Sequence, residues 1–367
     1  MTEFADRLDH FDASGIRKVF DLAASLKNPI NLSIGQPDFD VPTVARKAAA
    51  DAIATGRNGY SPTQGIAPLR ERLTSDLVEP LGQPDRELFV CSGTSGGLVL
   101  SMLAFINPGD EVIYGDPYFV MYPPLLAMCG GVGVPIDTAP TFQLDPSAVE
   151  AAITPRTKMI LVNSPANPTG VIADEASIKA IADIARRHNL ILVSDEIYSR
   201  FVFDSPAASP VSHYDKTIVI DGFSKSYAMT GWRIGYVHAP AKYVSAMLKL
   251  QQYTYICSPQ PLQWAAVEAM NVDLSDHIAE YARRRDYVYD ELAKHYEVTK
   301  PGGAFYIFPR VPSKYDGGEA FVRKAIENEL LIIPGNIFSQ HDTHFRLSFA
   351  ADQSTLQRGL DVLKRLA

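Results

Sequence analysis

The sequence predicts an α/β fold, with a large three-layer domain on a mostly parallel sheet and a smaller α+β domain. Three observations lead there. From about residue 43 to 272, short β-branched runs alternate with helical patterns, as parallel strands joined by crossover helices require. Those runs are continuously apolar rather than alternating, which marks strands buried on both faces. Residues 273–367 change character, with a long charged helix followed by short aromatic-rich strand patterns.

Along the chain, residues 44–54 are alanine-rich and helical, 88–91 read as a strand, 95–105 as a helix and 111–114 as a strand. Strand 157–163, helix 175–188 and strands 190–194 and 217–220 follow. In the last part, a helix at 278–295 leads to strand-like runs at 303–309 and 345–349. The expected division is an arm at 1–42 that joins the small domain, a large domain at 43–272 and the small domain at 273–367.

With 367 residues, 46% of them hydrophobic, the chain can fill a large core. A net charge of −8 argues against a nucleic-acid footprint, which would be basic and clustered. Cys91, Cys129 and Cys257 are odd in number and lack metal-ligand spacing, as buried thiols in a reducing compartment would be. No metal is expected. The acidic first residues lack an apolar signal region, and no uncharged apolar run approaches the roughly 20 residues of a membrane helix. A soluble cytoplasmic protein is therefore expected, with no membrane partner.

The most informative stretch is Asp221-Gly-Phe-Ser-Lys225-Ser-Tyr-Ala-Met-Thr-Gly-Trp-Arg233-Ile-Gly235. It follows the apolar run 217–220, so Lys225 sits in a turn past a strand end, where α/β enzymes place reactive groups. Arg233 offers a planar fork suited to a phosphate. A lysine that forms a Schiff base beside a phosphate clamp is the equipment of pyridoxal-phosphate chemistry. A Ser-Lys pair alone is a weak signal, because most lysines are surface charges. The whole run resembles the cofactor-lysine signature of the class I/II aminotransferases of fold type I. One departure stands out: Gly222 occupies a place where many members carry a serine.

Further motifs extend the resemblance. Cys91-Ser-Gly-Thr-Ser-Gly-Gly97 joins a strand to a helix, whose N-terminus offers free N–H groups to an anion. It is neither a Rossmann fingerprint nor a P-loop. The resemblance makes Gly93, Thr94 and Ser95 a phosphate cradle, with Ser224 and Arg233 as further contacts; as bare residues, Thr94 and Ser95 are equally plain helix caps. Asn163-Ser-Pro-Ala-Asn167-Pro-Thr-Gly170 reads on its own as a loop. In the family its counterpart places an amide, here that of Asn167, against the cofactor's ring oxygen and the substrate. Asp195 ends a strand, and by resemblance keeps the pyridine nitrogen protonated, while Tyr198 contacts the ring oxygen and lowers the Schiff base pKa. Phe119, in Asp116-Pro-Tyr-Phe119, takes the place of the aromatic that lies on the cofactor ring; an aromatic after a strand is more often core.

Tyr60 resembles a tyrosine that reaches the phosphate of a neighbouring subunit, which implies a homodimer with shared sites. Arg346, in Phe-Arg-Leu-Ser-Phe, alternates with apolar residues and is expected to point away from the core on its strand. The resemblance makes it the bidentate clamp for the substrate α-carboxylate. Gly35, in Ser33-Ile-Gly35-Gln-Pro-Asp38-Phe, resembles the turn whose backbone meets that carboxylate.

These motifs occur in family order across residues 33–349. The chain most resembles the aspartate and aromatic aminotransferases of archaea and bacteria. The resemblance implies transfer of an amino group from an L-amino acid to a 2-oxo acid such as 2-oxoglutarate, with pyridoxal 5′-phosphate, by a ping-pong mechanism. The main alternative is another reaction of the same cofactor on the same fold, such as a C–S β-lyase or racemase. No arginine lies between Arg233 and Arg283 to meet a distal carboxylate, and Ser95 stands where a bacterial aspartate subgroup carries a lysine. Tyr253 and Tyr255 could line an aromatic pocket, or simply pack. Broad or aromatic specificity is expected, with aspartate retained because Arg17 or Lys18 could supply a cation.

Overall fold

A short strand β1 (Ile30–Asn31) precedes the seven strands of the central sheet: β2 (Arg86–Cys91), β3 (Glu111–Asp116), β4 (Val132–Asp137), β5 (Thr157–Asn163), β6 (Ile191–Asp195), β7 (Thr217–Gly222) and β8 (Gly235–Pro240). The structure, a computed structural model, describes residues 4–12, 15, 26 and 28–367. Across the sheet the order is β2-β8-β7-β6-β5-β3-β4. All neighbours pair in parallel except β8, which is antiparallel to both β2 and β7. Every residue of β6, β7 and β8 is buried, as the apolar runs that open β6 and β7 lead one to expect.

Helices cover the sheet because their sequences carry one apolar stripe. Helix Glu175–Arg187 buries Ile178, Ile181, Ala182, Ile184 and Ala185 at three- and four-residue spacing. Asp174 starts it, its carboxylate accepting from the Ser177 N–H at 2.8 Å. Helix Gly93–Phe105 runs from the end of β2 and packs on β7 and β8.

Beyond the sheet, helix Ser275–Leu292 leads to β9 (Tyr306–Ile307), β10 (Leu330–Leu331), β11 (Ile333–Pro334) and β12 (Phe345–Ser348). The three strands β11-β12-β9 form an antiparallel sheet, and β10 pairs in parallel with β1. An aromatic core, including Phe305, Phe321, Phe345 and Phe349, gathers around these strands.

Two strands of the central sheet, β4 and β8, escape the sequence reading. β4 lies at the sheet edge, is only partly buried and contains Gly133 and Pro135, so its apolar signal is interrupted. β8 is glycine-led and carries His238. The strand-like run at 303–309 contracts to β9, because Ala304 takes a positive φ of 55°.

Candidate active site

The ends of the strands build the site. β6 stops at Asp195, β7 runs into the turn that carries Lys225, and β5 leads through Asn163 to Asn167. β3 leads to Phe119, and β2 feeds the helix that begins at Gly93. Because β8 is antiparallel, its start lies at this same edge, which brings in Arg233 from just before it. Gly35 and, from β12, Arg346 close the other side. The result is a cleft of about 240 Å³ at the carboxyl edge of the sheet, the usual place for ligands in an open α/β sheet.

Lys225 is half-buried, and its Nζ donates to the Gly35 carbonyl at 2.5 Å. Desolvation, then the charges of Arg346 and Arg233, lower its pKa to about 8, with Asp195 opposing. An amine held this way is largely free of its proton at a pH where an ordinary lysine is fully charged.

Asp195 is 2% exposed. Burial raises its pKa to about 6, against hydrogen bonds from Tyr122 and the Ile197 N–H and the nearby Lys225; Asp221 adds to the rise. Its Oδ2 accepts from the Tyr122 hydroxyl at 2.9 Å. The Asn163 amide donates to the Asp195 carbonyl at 2.9 Å, while its oxygen accepts from the Asn167 N–H at 2.9 Å. One side chain therefore ties the ends of two strands together.

At the other end of the cleft, the helix Gly93–Phe105 has no side-chain cap and no acid in its first turn. Gly93 has φ +65°, and a Cβ there would come within 2.8 Å of the Arg233 guanidinium carbon. A Cβ on Gly235 would lie 2.8 Å from the Thr94 nitrogen. Both glycines thus let the helix start and the arginine close on one another. Arg233 itself adopts φ +59°, a costly conformation for a side chain that must be aimed. It donates to the Thr230 carbonyl at 2.9 Å and, among the described residues, pairs with no carboxylate. Ser224, Thr94 and Ser95 line the cleft beside it.

Arg346 does not point away from the core: it is 1% exposed. The alternation is real, but the side of β12 that it faces is covered by the central sheet's loops. Its Nη1 donates to Asn167 Oδ1 at 3.0 Å and its Nη2 to the Ser33 carbonyl at 2.8 Å. The guanidinium lies 4.5 Å from the Tyr306 ring centre and 4.7 Å from that of Phe338. Among the described residues its Nε has no partner and no carboxylate pairs with the guanidinium. The Tyr198 and Tyr306 hydroxyls meet at 3.0 Å beside it.

The family described as "Aminotransferase class I and II" matches residues 27–363. A probable aspartate aminotransferase of Methanocaldococcus jannaschii is 38% identical, over 99% of both chains. An aromatic-amino-acid aminotransferase of Thermococcus litoralis is 34% identical, over 99% of this chain and 97% of that one. This chain belongs to the class I and II aminotransferases. A solved aspartate aminotransferase of Thermus thermophilus, a double mutant, superposes with a TM-score of 0.94 at 34% identity, over 100% of both chains. The protein is a transaminase of the α/β fold type expected from its sequence.

Within the aminotransferase, the cleft brings together eleven residues singled out from sequence, from Gly35 to Arg346; Gly93 packs directly beneath Arg233. Tyr60 stands apart, 81% exposed and outside the cleft. Tyr253 is 85% exposed and does not line the cleft, and the Tyr255 hydroxyl lies buried against Gly96. Arg17 and Lys18 fall outside the described residues. Sequence reasoning missed Tyr122, Asn163, Thr230, Ile197 and Tyr306. Asn163 and Thr230 lie inside motifs quoted above and Tyr306 within the strand-like run at 303–309, but nothing in their spacing says which way they face.

Proposed function

We propose that the aminotransferase holds pyridoxal 5′-phosphate on Lys225 and uses it to move an amino group from an L-amino acid to a 2-oxo acid such as 2-oxoglutarate, in two half-reactions. The observation that carries this reading is the placement of Lys225 in one cleft with a buried carboxylate, Asp195, and two arginines, Arg233 and Arg346, that pair with no carboxylate among the described residues. The donor set fits this cofactor. One end of the cleft offers uncapped N–H groups, hydroxyls and an arginine, which suit a phosphate. The far end offers the carboxylate of Asp195, which suits a ring nitrogen bearing a proton.

When bound, the cofactor supplies a sink for the electrons left at Cα once its proton is removed. In this assignment Gly93, Thr94, Ser95, Ser224 and Arg233 hold the phosphate, and Phe119 supports the ring face. Asn167 turns its oxygen to Arg346, which leaves its Nδ2 to donate to the ring oxygen together with the Tyr198 hydroxyl. Arg346, with Gly35, takes the substrate α-carboxylate, and Tyr306 and Phe338 keep water from its guanidinium. Lys225 Nζ then takes the Cα proton as general base and returns it as general acid.

Tyr60, exposed and outside its own cleft, fits a role in a partner's site, so we assign a homodimer with shared active sites. The site then lies between the large domain at 43–272 and the small domain at 273–367 with its arm at 1–42. With Arg233 assigned to phosphate and Arg346 to the α-carboxylate, no cation lining the cleft among the described residues is left for a side-chain carboxylate. That favours aromatic or broad donors, in line with the names of both aspartate and aromatic relatives. The test is glutamate formation from 2-oxoglutarate with phenylalanine, tyrosine and aspartate as donors. Racemisation or β-elimination without glutamate would sink the reading.

A further inference from the structure

Tyr122 has no part in the roles assigned above, yet it is one of the largest fully enclosed side chains of the molecule. It opens the helix Tyr122–Cys129 and touches two groups of the site at once. Its hydroxyl donates to Oδ2 of Asp195 at 2.9 Å. Its ring meets the Phe119 ring edge-on, with centres 5.7 Å apart and an interplanar angle of 81°. Tyr114 braces it from behind at 6.1 Å. Among the described residues, the second oxygen of Asp195 has only a long contact, 3.5 Å, from the Ile197 N–H. Tyr122 thus occupies one oxygen of a carboxylate that lines the cleft and leaves the other without a short hydrogen bond.

We infer that Tyr122 is a positioning residue that holds Asp195 ionised and aims its free oxygen at the cofactor's ring nitrogen, while bracing Phe119 against the ring. A hydroxyl that donates to a carboxylate stabilises the ionised form, and the effect is large where water is excluded. The surroundings leave few other sources of that stabilisation. Burial and the like charge of Asp221, from β7, push the Asp195 pKa up. The Ile197 N–H and Lys225 act the same way as Tyr122, and burial pushes the Tyr122 hydroxyl well above its ordinary pKa, so it stays a donor. Tyr198, in the following turn, bonds to Tyr306 rather than to Asp195. Glu196, next in the chain, accepts from Ser194 and Ser209.

This inference rests on the pyridoxal-phosphate reading, so cofactor binding is the readout that separates the two. The affinity of the protein for pyridoxal 5′-phosphate is measured from pH 5 to 8 for wild type, Tyr122→Phe, Asp195→Asn and the double variant. Phenylalanine keeps the ring contacts with Phe119 and Tyr114, so a change reports the hydroxyl. Loss of a hydrogen bond to a buried carboxylate should move the Asp195 pKa up by about one unit. The Tyr122→Phe protein should then bind the cofactor nearly as well as wild type at pH 8 and approach tenfold weaker binding near pH 5. In the Asp195→Asn background the same change should have no pH-dependent effect, because no charge remains to stabilise. Wild type that binds no pyridoxal 5′-phosphate would sink the underlying reading. Wild-type-like pH dependence in Tyr122→Phe, or an equal effect in the Asp195→Asn background, would overturn the role of Tyr122 alone.

Discussion

Arg346 donates from Nη1 to Oδ1 of Asn167 at 3.0 Å, across the gap between β12 and the loop after β5. The contact joins two groups that sequence motifs place 179 residues apart. It fixes the amide so that its nitrogen, not its oxygen, is left for another partner. The guanidinium carbon sits 4.5 Å from the Tyr306 ring centre.

Removing either partner should therefore hurt in different ways. Stripping one side of the buried, bidentate pair assigned to Arg346 and a substrate α-carboxylate costs about 3–5 kcal/mol. Arg346→Ala should lower kcat/KM by about 10² to 10³-fold or more for every amino donor alike, taking 1.4 kcal/mol as roughly tenfold. Asn167→Ala should mainly weaken cofactor retention and leave the donor preference unchanged. Kinetics with phenylalanine and aspartate on both variants check this. If Arg346→Ala spared phenylalanine and abolished only aspartate turnover, Arg346 would read the side chain instead.

Lys225 should react with pyridoxal 5′-phosphate as an amine of pKa about 8. Only the neutral amine attacks an aldehyde, so the capture rate should rise with pH and level off above about 8, whereas a free lysine would level off above about 10.4. Stopped-flow absorbance on the cofactor-free protein measures it. Arg346→Ala removes one of the charges that lower the pKa and should move the midpoint up. A midpoint near 10 in the wild type would show that the cleft does not activate this amine.

Three carboxyl groups at and behind the cleft make a prediction about stability: Asp195 and Asp221 are buried and Glu196 is half-buried. Burial raises Asp195 and Asp221 to about 6 and Glu196 to about 7. Each binds a proton in the folded protein that it has lost in the unfolded chain between about pH 4 and those values. The folded form therefore gains protons relative to the unfolded one, and these groups make stability fall as pH rises from about 4 to 7. The cofactor-free protein should melt at a higher temperature at pH 6 than at pH 8. Glu196→Gln should flatten that dependence, because it removes the highest of the three. Equal melting at the two pH values, with or without the substitution, would mean that these carboxyls are compensated.

Much of this site is legible in the sequence. Lys225, Asp195 and Asn167 stand at strand ends whose apolar runs are unbroken, so both the strand and the turn after it announce themselves. Arg346 shows the limit. Alternation in a short strand gives two faces but does not say which is covered, and here both are, the arginine's included. Tyr122 and Tyr306 were invisible as site residues because an aromatic in an apolar stretch looks the same whether its hydroxyl meets a carboxylate or another tyrosine. Edge strand β4 was lost for the opposite reason, since Gly133 and Pro135 broke the pattern that marks a strand.

Shared active sites would show as complementation between inactive chains. Lys225→Ala lacks the reactive amine, and Tyr60→Ala lacks the side chain offered to a partner. In a mixed dimer, one site combines the intact Lys225 of the Tyr60→Ala chain with the intact Tyr60 of the Lys225→Ala chain. Random mixing of such dimers should restore about a quarter of wild-type activity, since about half the dimers are mixed and each has one complete site. No recovery after mixing and re-association, or a fully active monomer in sedimentation, would contradict the assignment of Tyr60.

Borohydride trapping tests the assignment of Lys225 as the lysine that carries the cofactor. The protein is loaded with pyridoxal 5′-phosphate, reduced with borohydride to fix any Schiff base, digested, and its peptides are read by mass spectrometry. The account predicts a single modified peptide with the phosphopyridoxyl group on Lys225, absent in Lys225→Ala, which should also lose turnover by several orders of magnitude. A stable adduct on a different lysine, with Lys225 unmodified, would contradict it.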